Sequence, residues 1–331
     1  MKKLSLYLFI GLLAVLTSCE KDITLEFAEY QPKVVVEGFI FENEYPVVTL
    51  TRSTSYFDTL NTSEMVTVMI FGMPVQVPEY LYDMVISDAI VTVSNGEIID
   101  TLQLGFNPYV FPYLQYQGSK FKGESNMTYT LTVLADSQLI TSVTTIPAAV
   151  SLDSVWFEPL GDELDSAGLL HANFIEPQDV ANYYRVFSKT LGRDSVFVHP
   201  WFSIFDDKRL SLVDTVEIRL FHGSNDLDSI NDPFRSYFRV GEEVKIRLCT
   251  MDYEHYQFWE SYQQVAGGGG NPFAAPIEIK TNIVGGLGVW GGYGVYETEY
   301  LVVLPDTTDQ LIKTVNKSTT LINLKTNQST K

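Results

Sequence analysis

The sequence is poor in cysteine and in basic residues. Its 331 residues include two cysteines, and 22 lysines and arginines stand against 41 aspartates and glutamates, which gives a formal charge of −19 at pH 7. Proteins that bind nucleic acid need clusters of lysine and arginine against the phosphates, so this balance argues against a nucleic-acid partner. An acidic excess instead favours a well-solvated surface.

Motifs of familiar catalytic and cofactor sites are also missing. The chain has no G-x-S-x-G elbow, no H-E-x-x-H, no C-x-x-C and no Walker A lysine. The four histidines lack the spacing of metal ligands; they are His171, His199, His222 and His255. We therefore predict no catalytic residue, no metal and no cofactor. Because 41 carboxylates guarantee chance pairs, a glycosidase-like dyad can be neither named nor excluded.

The N-terminus has the three parts of a bacterial lipoprotein signal. Lys2 and Lys3 are positive, an apolar run follows over 4–15, and Leu16-Thr17-Ser18-Cys19 forms a lipobox. The apolar run is shorter than the roughly 20 residues that span a bilayer. We expect residues 1–18 to be removed and Cys19 to be acylated, for example with palmitate, so that several acyl chains hold the protein stably on a membrane. The alternative is an ordinary cleavable signal followed by a chance cysteine.

Cleavage at Cys19 has consequences for charge and redox chemistry. Loss of Lys2 and Lys3 takes the formal charge from −19 to −21. Acylation of Cys19 leaves only Cys249, so no intrachain disulfide can form; Cys249 in "VKIRLCT" is predicted to be a buried thiol rather than a nucleophile. Glu20-Lys21-Asp22 resembles the surface-export signals of Bacteroidetes lipoproteins. The predicted location is the outer membrane, on its periplasmic face or at the cell surface.

Strand signals dominate the mature chain. Runs rich in Val, Ile, Thr and Tyr occupy 33–42, 47–53, 89–104 and 128–146, with hairpin turns at 94–96 and 136–137. A second series of such runs begins after Pro147. We predict a mainly β protein of two antiparallel β-sandwich modules, immunoglobulin-like or transthyretin-like, over residues 19–148 and 149–302. A polar tail covers residues 303–331.

Two proline-containing stretches, 61–83 and 105–118, interrupt the first series. Proline excludes both from central strands and predicts long loops or edge excursions. Aromatic rings on loops can stack on sugars and anchor protein interfaces, so they are candidates for contacts with a ligand or partner. These candidates are Tyr80, Tyr82, Tyr109, Phe111, Tyr113 and Tyr116. The alternative is that the rings plug the end of the sandwich.

One helix is predicted near the C-terminus, over about 252–265, with Asp252 as its N-cap. Its aromatic and apolar stripe is interpreted as core packing. The stripe consists of Tyr256, Phe258, Trp259, Tyr262 and Val265. Four glycines, 267–270, end the helix.

The glycine-rich segment 266–294 contains Gly286-x-Gly288-x-x-Gly291, the spacing of a dinucleotide-binding loop. Such a loop needs a helix after it and an acidic residue about 20 positions on. Here the next residues have strand composition, and the bulk of Trp290 would block close approach to a ligand. We predict instead a tight strand or bulge where another backbone comes close. Its structural glycines are Gly285, Gly286, Gly288, Gly291, Gly292 and Gly294.

Four regions resemble, in order, the DUF4249 family of Bacteroidetes lipoproteins. They are "YQPKVVVEGFI" with "VVTLTRSTSYF", "FKGESNMTYTLTV", "IEPQDVANYYRVF" and "GGGNPFAAPIEIKTNIVGGLGVWGGY". The resemblance covers roughly residues 19–300. The biochemistry of the family is undefined, and no catalytic residue comes with it. Members are similar to lipoproteins whose genes neighbour SusC-like TonB-dependent transporters, which implies an accessory capture or lid subunit.

The sequence and the resemblance together favour a lipid-anchored, non-catalytic binding protein. Its expected partners are the membrane through Cys19, a SusC-like TonB-dependent transporter, and a small nutrient or glycan. The first alternative is a hydrolase that acts on glycans or peptides outside the cytoplasm. The second is a structural or adhesive surface module, although adhesins more often carry internal repeats and none is found here.

Overall fold

The computed structural model describes residues 30–55, 64–70, 72–161, 166–178, 180–209, 215–223, 232–267, 278–304, 312–313 and 321–322. The chain divides into two compact units, Met1–Gln31 and Pro32–Lys331. The predicted signal segment and Cys19 lie outside the described residues. The strands and helices named below all belong to the second unit.

Strands account for most of the regular structure. The first half of the chain contains β1 (Val34–Phe41), β2 (Val47–Arg52), β3 (Met65–Ile70), β4 (Met73–Pro78), α1 (Glu79–Met84), β5 (Ile90–Ser94), β6 (Ile99–Thr101), β7 (Gln103–Phe106), β8 (Leu114–Gln117), β9 (Thr128–Ala135) and β10 (Gln138–Thr145). The second half contains β11 (Ser154–Pro159), β12 (Ala167–Ile175), β13 (Tyr183–Thr190), β14 (Ile204–Asp206), a 3-10 turn (Asp207–Arg209), β15 (Thr215–Leu220), β16 (Phe238–Arg239), β17 (Glu243–Met251), α2 (Tyr253–Gly267), β18 (Leu287–Glu297), β19 (Leu301–Val302), β20 (Ile312–Lys313) and β21 (Leu321–Ile322). The prediction of a mainly β protein is confirmed.

The strands form one large sheet and several small ones. The nine-stranded sheet has the order β14-β13-β17-β18-β1-β2-β8-β7, and β19 also pairs with β17. Two four-stranded sheets have the orders β10-β9-β5-β6 and β11-β12-β15, the second with β16 beside β12. The pairs β3–β4 and β20–β21 form separate two-stranded ribbons.

Both four-stranded sheets pack against the same face of the nine-stranded sheet. Alternate residues of β9, such as Leu131 and Val133, are buried because one side of that strand faces Val36 and Val48 of the large sheet. A second core forms where β11, β12 and β15 meet β13 and β17. The arrangement is sandwich-like, and burial of these alternating apolar residues is its main stabilising term.

One sheet is shared by the two modules that the sequence predicts. Strand β18 runs parallel to β1, with Val35 opposite Leu287 and Phe41 opposite Tyr293, and runs antiparallel to β17 on its other edge. The boundary near residue 148 therefore does not separate the sheets, and the number of modules is not confirmed. The predicted hairpins at 94–96 and 136–137 are present as β5–β6 and β9–β10.

The glycine-rich strand β18 is packed closely on both faces and along its edge with β1. Gly288 has φ +103°, and a Cβ there would lie 1.9 Å from the carbonyl oxygen of Val36. A Cβ on Gly291 would lie 2.1 Å from the imidazole of His255. On the opposite face, a Cβ on Gly294 would lie 2.2 Å from the carbonyl oxygen of Pro147. The glycines therefore allow other backbone and a helix side chain to approach the strand, and no helix follows it directly.

The two proline-containing stretches form strands outside the centre of any sheet, which agrees with the predicted edge excursions rather than with the alternative of long loops. In 61–83, β3 and β4 form a hairpin, and α1 follows directly after Pro78. Pro74 and Pro78 are compatible with this ribbon because it has no third strand that would need their missing N–H groups. In 105–118, Pro108 and Pro112 occupy the turn between β7 and β8 at the margin of the large sheet.

The predicted helix is confirmed, with a different buried face. Asp252 Oδ1 accepts a hydrogen bond of 2.9 Å from the N–H of His255, as expected for an N-cap. Tyr256 and Trp259 are buried, but Tyr262 and Val265 of the predicted stripe are exposed. His255, which the apolar pattern did not select, is fully buried because it fills the space above Gly291. The helices in the described residues are too short or too polar to cross a membrane.

The close approach at Gly288 yields a stability prediction. Gly288→Ala should lower the free energy of unfolding by at least about 3 kcal/mol, because it combines a strained positive φ with overlap against Val36. Urea denaturation followed by circular dichroism measures the loss. Gly105→Ala in β7 is the matched control, since its Cβ would lie 3.7 Å from the nearest atom, and a change within about 0.5 kcal/mol is expected. Equal effects of the two substitutions would contradict this account of β18.

Candidate functional site

The two proline-containing stretches converge on one pocket. Its volume is about 510 Å³, and its walls are the β3–β4 hairpin, α1, the following residues 85–87 and the β7–β8 turn. The lining residues are Val68, Met69, Gln76, Val77, Pro78, Leu81, Tyr82, Val85, Ser87, Leu104, Phe106, Pro108, Pro112, Tyr113 and Leu114. Gln76 and Ser87 are the only members of this set with side-chain hydrogen-bonding groups apart from the two tyrosine hydroxyls.

The floor of the pocket is tied to the nine-stranded sheet. The N–H of Ile86 donates to the carbonyl oxygen of Leu50 at 3.0 Å, and Val85 forms a bridge with Thr51. The buried hydroxyl of Tyr116 donates to the carbonyl oxygen of Ile86 at 3.2 Å and accepts from the N–H of Ala89 at 3.0 Å. Tyr116 therefore fixes the segment after α1 from inside the protein.

An arginine from β2 holds the end of α1. Arg52 Nη1 donates to the carbonyl oxygen of Asp83 at 3.2 Å, in a helix whose own last turn carries no basic residue. The same guanidinium makes a two-point contact with Asp136, at 2.9 and 2.7 Å. Its hydrogen bond lowers the pKa of Asp136. Arg52 thus links the pocket to the turn between β9 and β10.

The β7–β8 turn is ordered by its own contacts. The N–H of Asn107 donates to the carbonyl oxygen of Tyr113 at 2.8 Å, and Asn107 Nδ2 donates to Gln115 Oε1 at 3.0 Å. The rings of Phe111 and Tyr113 meet edge to face with centroids 5.8 Å apart. These contacts hold Tyr113 at the pocket wall.

The six aromatic candidates from the sequence occupy four different environments. Tyr82 and Tyr113 line the pocket. Tyr109 and Phe111 are exposed on the adjacent turn, and Tyr80 is partly buried on α1. Tyr116 is only 3% exposed, so it supports the pocket rather than contacting a ligand. The alternation pattern did not reveal that the two stretches meet, because they are separated in sequence by β5 and β6.

The histidines do not line this pocket. His171 Nε2 and Nδ1 lie 2.6 and 3.0 Å from carboxylate oxygens of Glu158 and Glu217, and the first of these contacts lacks hydrogen-bond geometry. His222 Nε2 lies 2.9 Å from Asp194 Oδ2, and both side chains are fully buried. Within the described residues no three His, Cys, Asp or Glu side chains are placed to hold a metal ion.

The other two histidines, His199 and His255, and the free cysteine Cys249 lie near the helix-covered face of the large sheet. Burial lowers the pKa of His255 to about 3, and its Nε2 accepts a hydrogen bond of 3.0 Å from Trp259 Nε1. Cys249 is buried as predicted, and burial raises the pKa of its thiol, which disfavours the reactive thiolate.

Comparison with known families gives a match over most of the chain. The model of a family described as "Domain of unknown function (DUF4249)" matches residues 20–299. No curated protein matches the chain. The resemblance that the four sequence regions carry is therefore confirmed over most of the chain.

The anchoring role of Tyr116 leads to a prediction. Tyr116→Phe should lower the free energy of unfolding by about 1–3 kcal/mol, because it leaves the partly buried N–H of Ala89 without its partner. The loss is measured by urea denaturation. Tyr109→Phe is the control, since Tyr109 is exposed, and its effect should stay within about 0.5 kcal/mol. If Tyr116→Phe were as neutral as the control, the hydroxyl would not be what fixes residues 86–89.

Proposed function

Because the chain belongs to the DUF4249 family, whose description assigns no activity, we propose a function from the sequence and the geometry: a lipid-anchored, non-catalytic binding protein that takes an apolar ligand in the pocket beside α1. The observation that carries this proposal is the 510 Å³ pocket with its almost entirely apolar lining. Pockets of roughly 300–1,000 Å³ are the usual size for small-molecule sites.

The lining indicates the chemistry of the ligand. Val68, Leu81 and Leu114 offer dispersion contacts and burial of apolar surface. A sugar would need several hydrogen-bonding partners for its hydroxyls, because each buried unpaired hydroxyl is unfavourable. Gln76 and Ser87 offer few such partners. The pocket therefore favours an apolar nutrient, or an apolar side chain of a partner, over a glycan.

The pocket is held in a preformed shape. Its floor is fixed by Leu50, Thr51 and Tyr116, all of which belong to the nine-stranded sheet. Rigid walls reduce the conformational entropy that the protein loses when a ligand binds. This supports a binding function, since the site does not have to be assembled by the ligand.

The proposed location rests on the N-terminal sequence. The lipobox predicts acylation of Cys19, and the mature protein would then be anchored in the outer membrane, on the periplasmic side or at the surface. The family resemblance adds a SusC-like TonB-dependent transporter as the proposed partner. The exposed rings of Tyr109 and Phe111 beside the pocket are the proposed contact surface.

An apolar fluorescent probe tests the pocket. Wild-type protein should bind N-phenyl-1-naphthylamine with an increase in probe fluorescence. Val77→Trp should weaken this binding by about tenfold or more, because the indole would occupy pocket volume. The control is Val143→Trp, which places the same ring at an exposed position on β10. Equal binding by both variants, or no binding by the wild type, would remove the apolar pocket from the proposal.

Affinity capture tests the proposed partner. A C-terminally tagged wild-type protein, solubilised gently from the outer membrane, should retain a large TonB-dependent transporter in stoichiometric amount. Cys19→Ala should lose membrane attachment and with it the transporter. Tyr109→Ala with Phe111→Ala should keep the membrane attachment and lower the transporter yield. Recovery of acylated wild-type protein alone, under conditions that preserve a known lipoprotein–transporter complex, would overturn the accessory-subunit role.

A further inference from the structure

We propose a second binding site, for an organic carboxylate, at Arg185 on the helix-covered face of the nine-stranded sheet. Arg185 lies on β13 and is 3% exposed. Arg185 does not line the apolar pocket. The site is therefore independent of the function proposed above.

Only some of the nitrogens of the Arg185 guanidinium donate hydrogen bonds. Nη1 donates to the hydroxyl of Tyr293 at 2.9 Å, and Nε makes a long contact of 3.4 Å with Ser203 Oγ. The plane stacks on Trp259, with the central carbon 3.6 Å from the ring centroid. Across the described residues, Nη2 donates no hydrogen bond to a protein atom. One nitrogen of a buried cation thus remains available for an acceptor.

A neighbouring arginine, in contrast, is paired with two carboxylates. Arg247, on the same face of the sheet, lies 2.7 Å from Glu44 and 2.8 Å from Glu297. Arg185 makes no comparable ion pair within the parts of the chain that the structure describes. A buried charge without a counterion is strongly unfavourable, so an anion near Arg185 would be stabilising.

Glu37 is the carboxylate whose pKa Arg185 influences, but it does not act as a contact partner. The surrounding protein raises the pKa of Glu37 by desolvation, and this outweighs the opposite effect of the Arg185 charge. No ion pair joins the two side chains in the structure.

His199 contacts the same two aromatic rings as Arg185. Its imidazole meets Phe187 and Trp259 edge to face, with centroids 5.8 and 6.3 Å apart. Nδ1 lies 3.1 Å from the carbonyl oxygen of Pro200 and is therefore the donor. With the proton of the neutral imidazole on Nδ1, Nε2 carries the lone pair.

These two groups define the chemistry of the ligand. Guanidinium groups bind carboxylates through charge-assisted hydrogen bonds. The Nε2 atom of His199, an exposed residue, would accept a hydrogen bond from a hydroxyl beside that carboxylate. The rings of Phe187 and Trp259 pack against the guanidinium, with their centroids 5.0 and 3.6 Å from its central carbon. A 2-hydroxy carboxylate carries both of the groups that Arg185 and His199 would bind.

Mandelate is the probe for this site, with mandelamide as its neutral analogue and phenylacetate as the analogue without the hydroxyl. Titration calorimetry on the full acylated chain in detergent should show that mandelate binds about tenfold or more tightly than mandelamide, since a charged hydrogen bond is lost in the amide. Phenylacetate should bind more weakly than mandelate. Arg185→Met should weaken mandelate binding by about tenfold or more. Arg219→Met, which changes an exposed arginine on β15, should bind like the wild type.

Three results would overturn the proposal: no mandelate binding by the wild type, equal binding of mandelate and mandelamide, or unchanged binding by a folded Arg185→Met variant. Should Arg185→Met fail to fold, His199→Phe decides, because His199 is accessible to solvent and its replacement leaves Arg185 in place. This variant should abolish the preference for mandelate over phenylacetate. A preference equal to that of the wild type would overturn the assignment of His199 and the site with it.

Discussion

The parallel pairing of β1 with β18 is the constraint on which the rest of the structure depends. The two strands are about 250 positions apart along the chain, yet seven consecutive residue pairs join them. On its other edge β18 pairs with β17 only from Tyr293 onward, and the side chain of Asn282 substitutes for a strand by bonding both the N–H and the carbonyl oxygen of Trp290. This arrangement provides hydrogen-bond partners for backbone N–H and C=O groups of β18, a strand that is covered by protein on both of its faces.

Both proposed sites are built on the sheet that this pairing completes. The apolar pocket is attached through β2 and β8, on one side of the β1–β18 pair, by Leu50, Thr51 and Tyr116. The Arg185 site lies on the other side, where Tyr293 of β18 and Trp259 of α2 hold the guanidinium. Gly291 makes the second site feasible, since it leaves room for His255 and thereby lets α2 lie against the sheet. One rigid sheet can thus carry two chemically different surfaces.

Much of the fold could be predicted because strand signals are local. The alternation in β9, the turn at Asp136 and Ser137 and the cap at Asp252 each depend on neighbouring residues alone. The shared sheet could not be predicted, since nothing within β1 or β18 specifies a partner so far away in sequence. The glycines of β18 indicated a close approach but not that Val36, Pro147 and His255 are the neighbours.

The candidate sites were also predictable only as far as their residues carry local sequence signals. Proline and aromatic composition selected the segments that form the pocket, and Tyr82 and Tyr113 do line it. Tyr116 has the same composition signal but points inward, because alternation in β8 places it on the buried face. Arg185 and His199 carry no local signal, since their meeting depends on Phe187 and Trp259 from different elements.

Amide hydrogen exchange with and without a saturating apolar probe tests the central claim most directly, namely that a rigid sheet carries a preformed apolar pocket. The account predicts slower exchange in β3, β4, α1 and the β7–β8 turn, with exchange in β1, β18 and β11 to β15 unchanged by the probe. Protection that appears throughout the large sheet, or that is absent from the hairpin and α1, would contradict it.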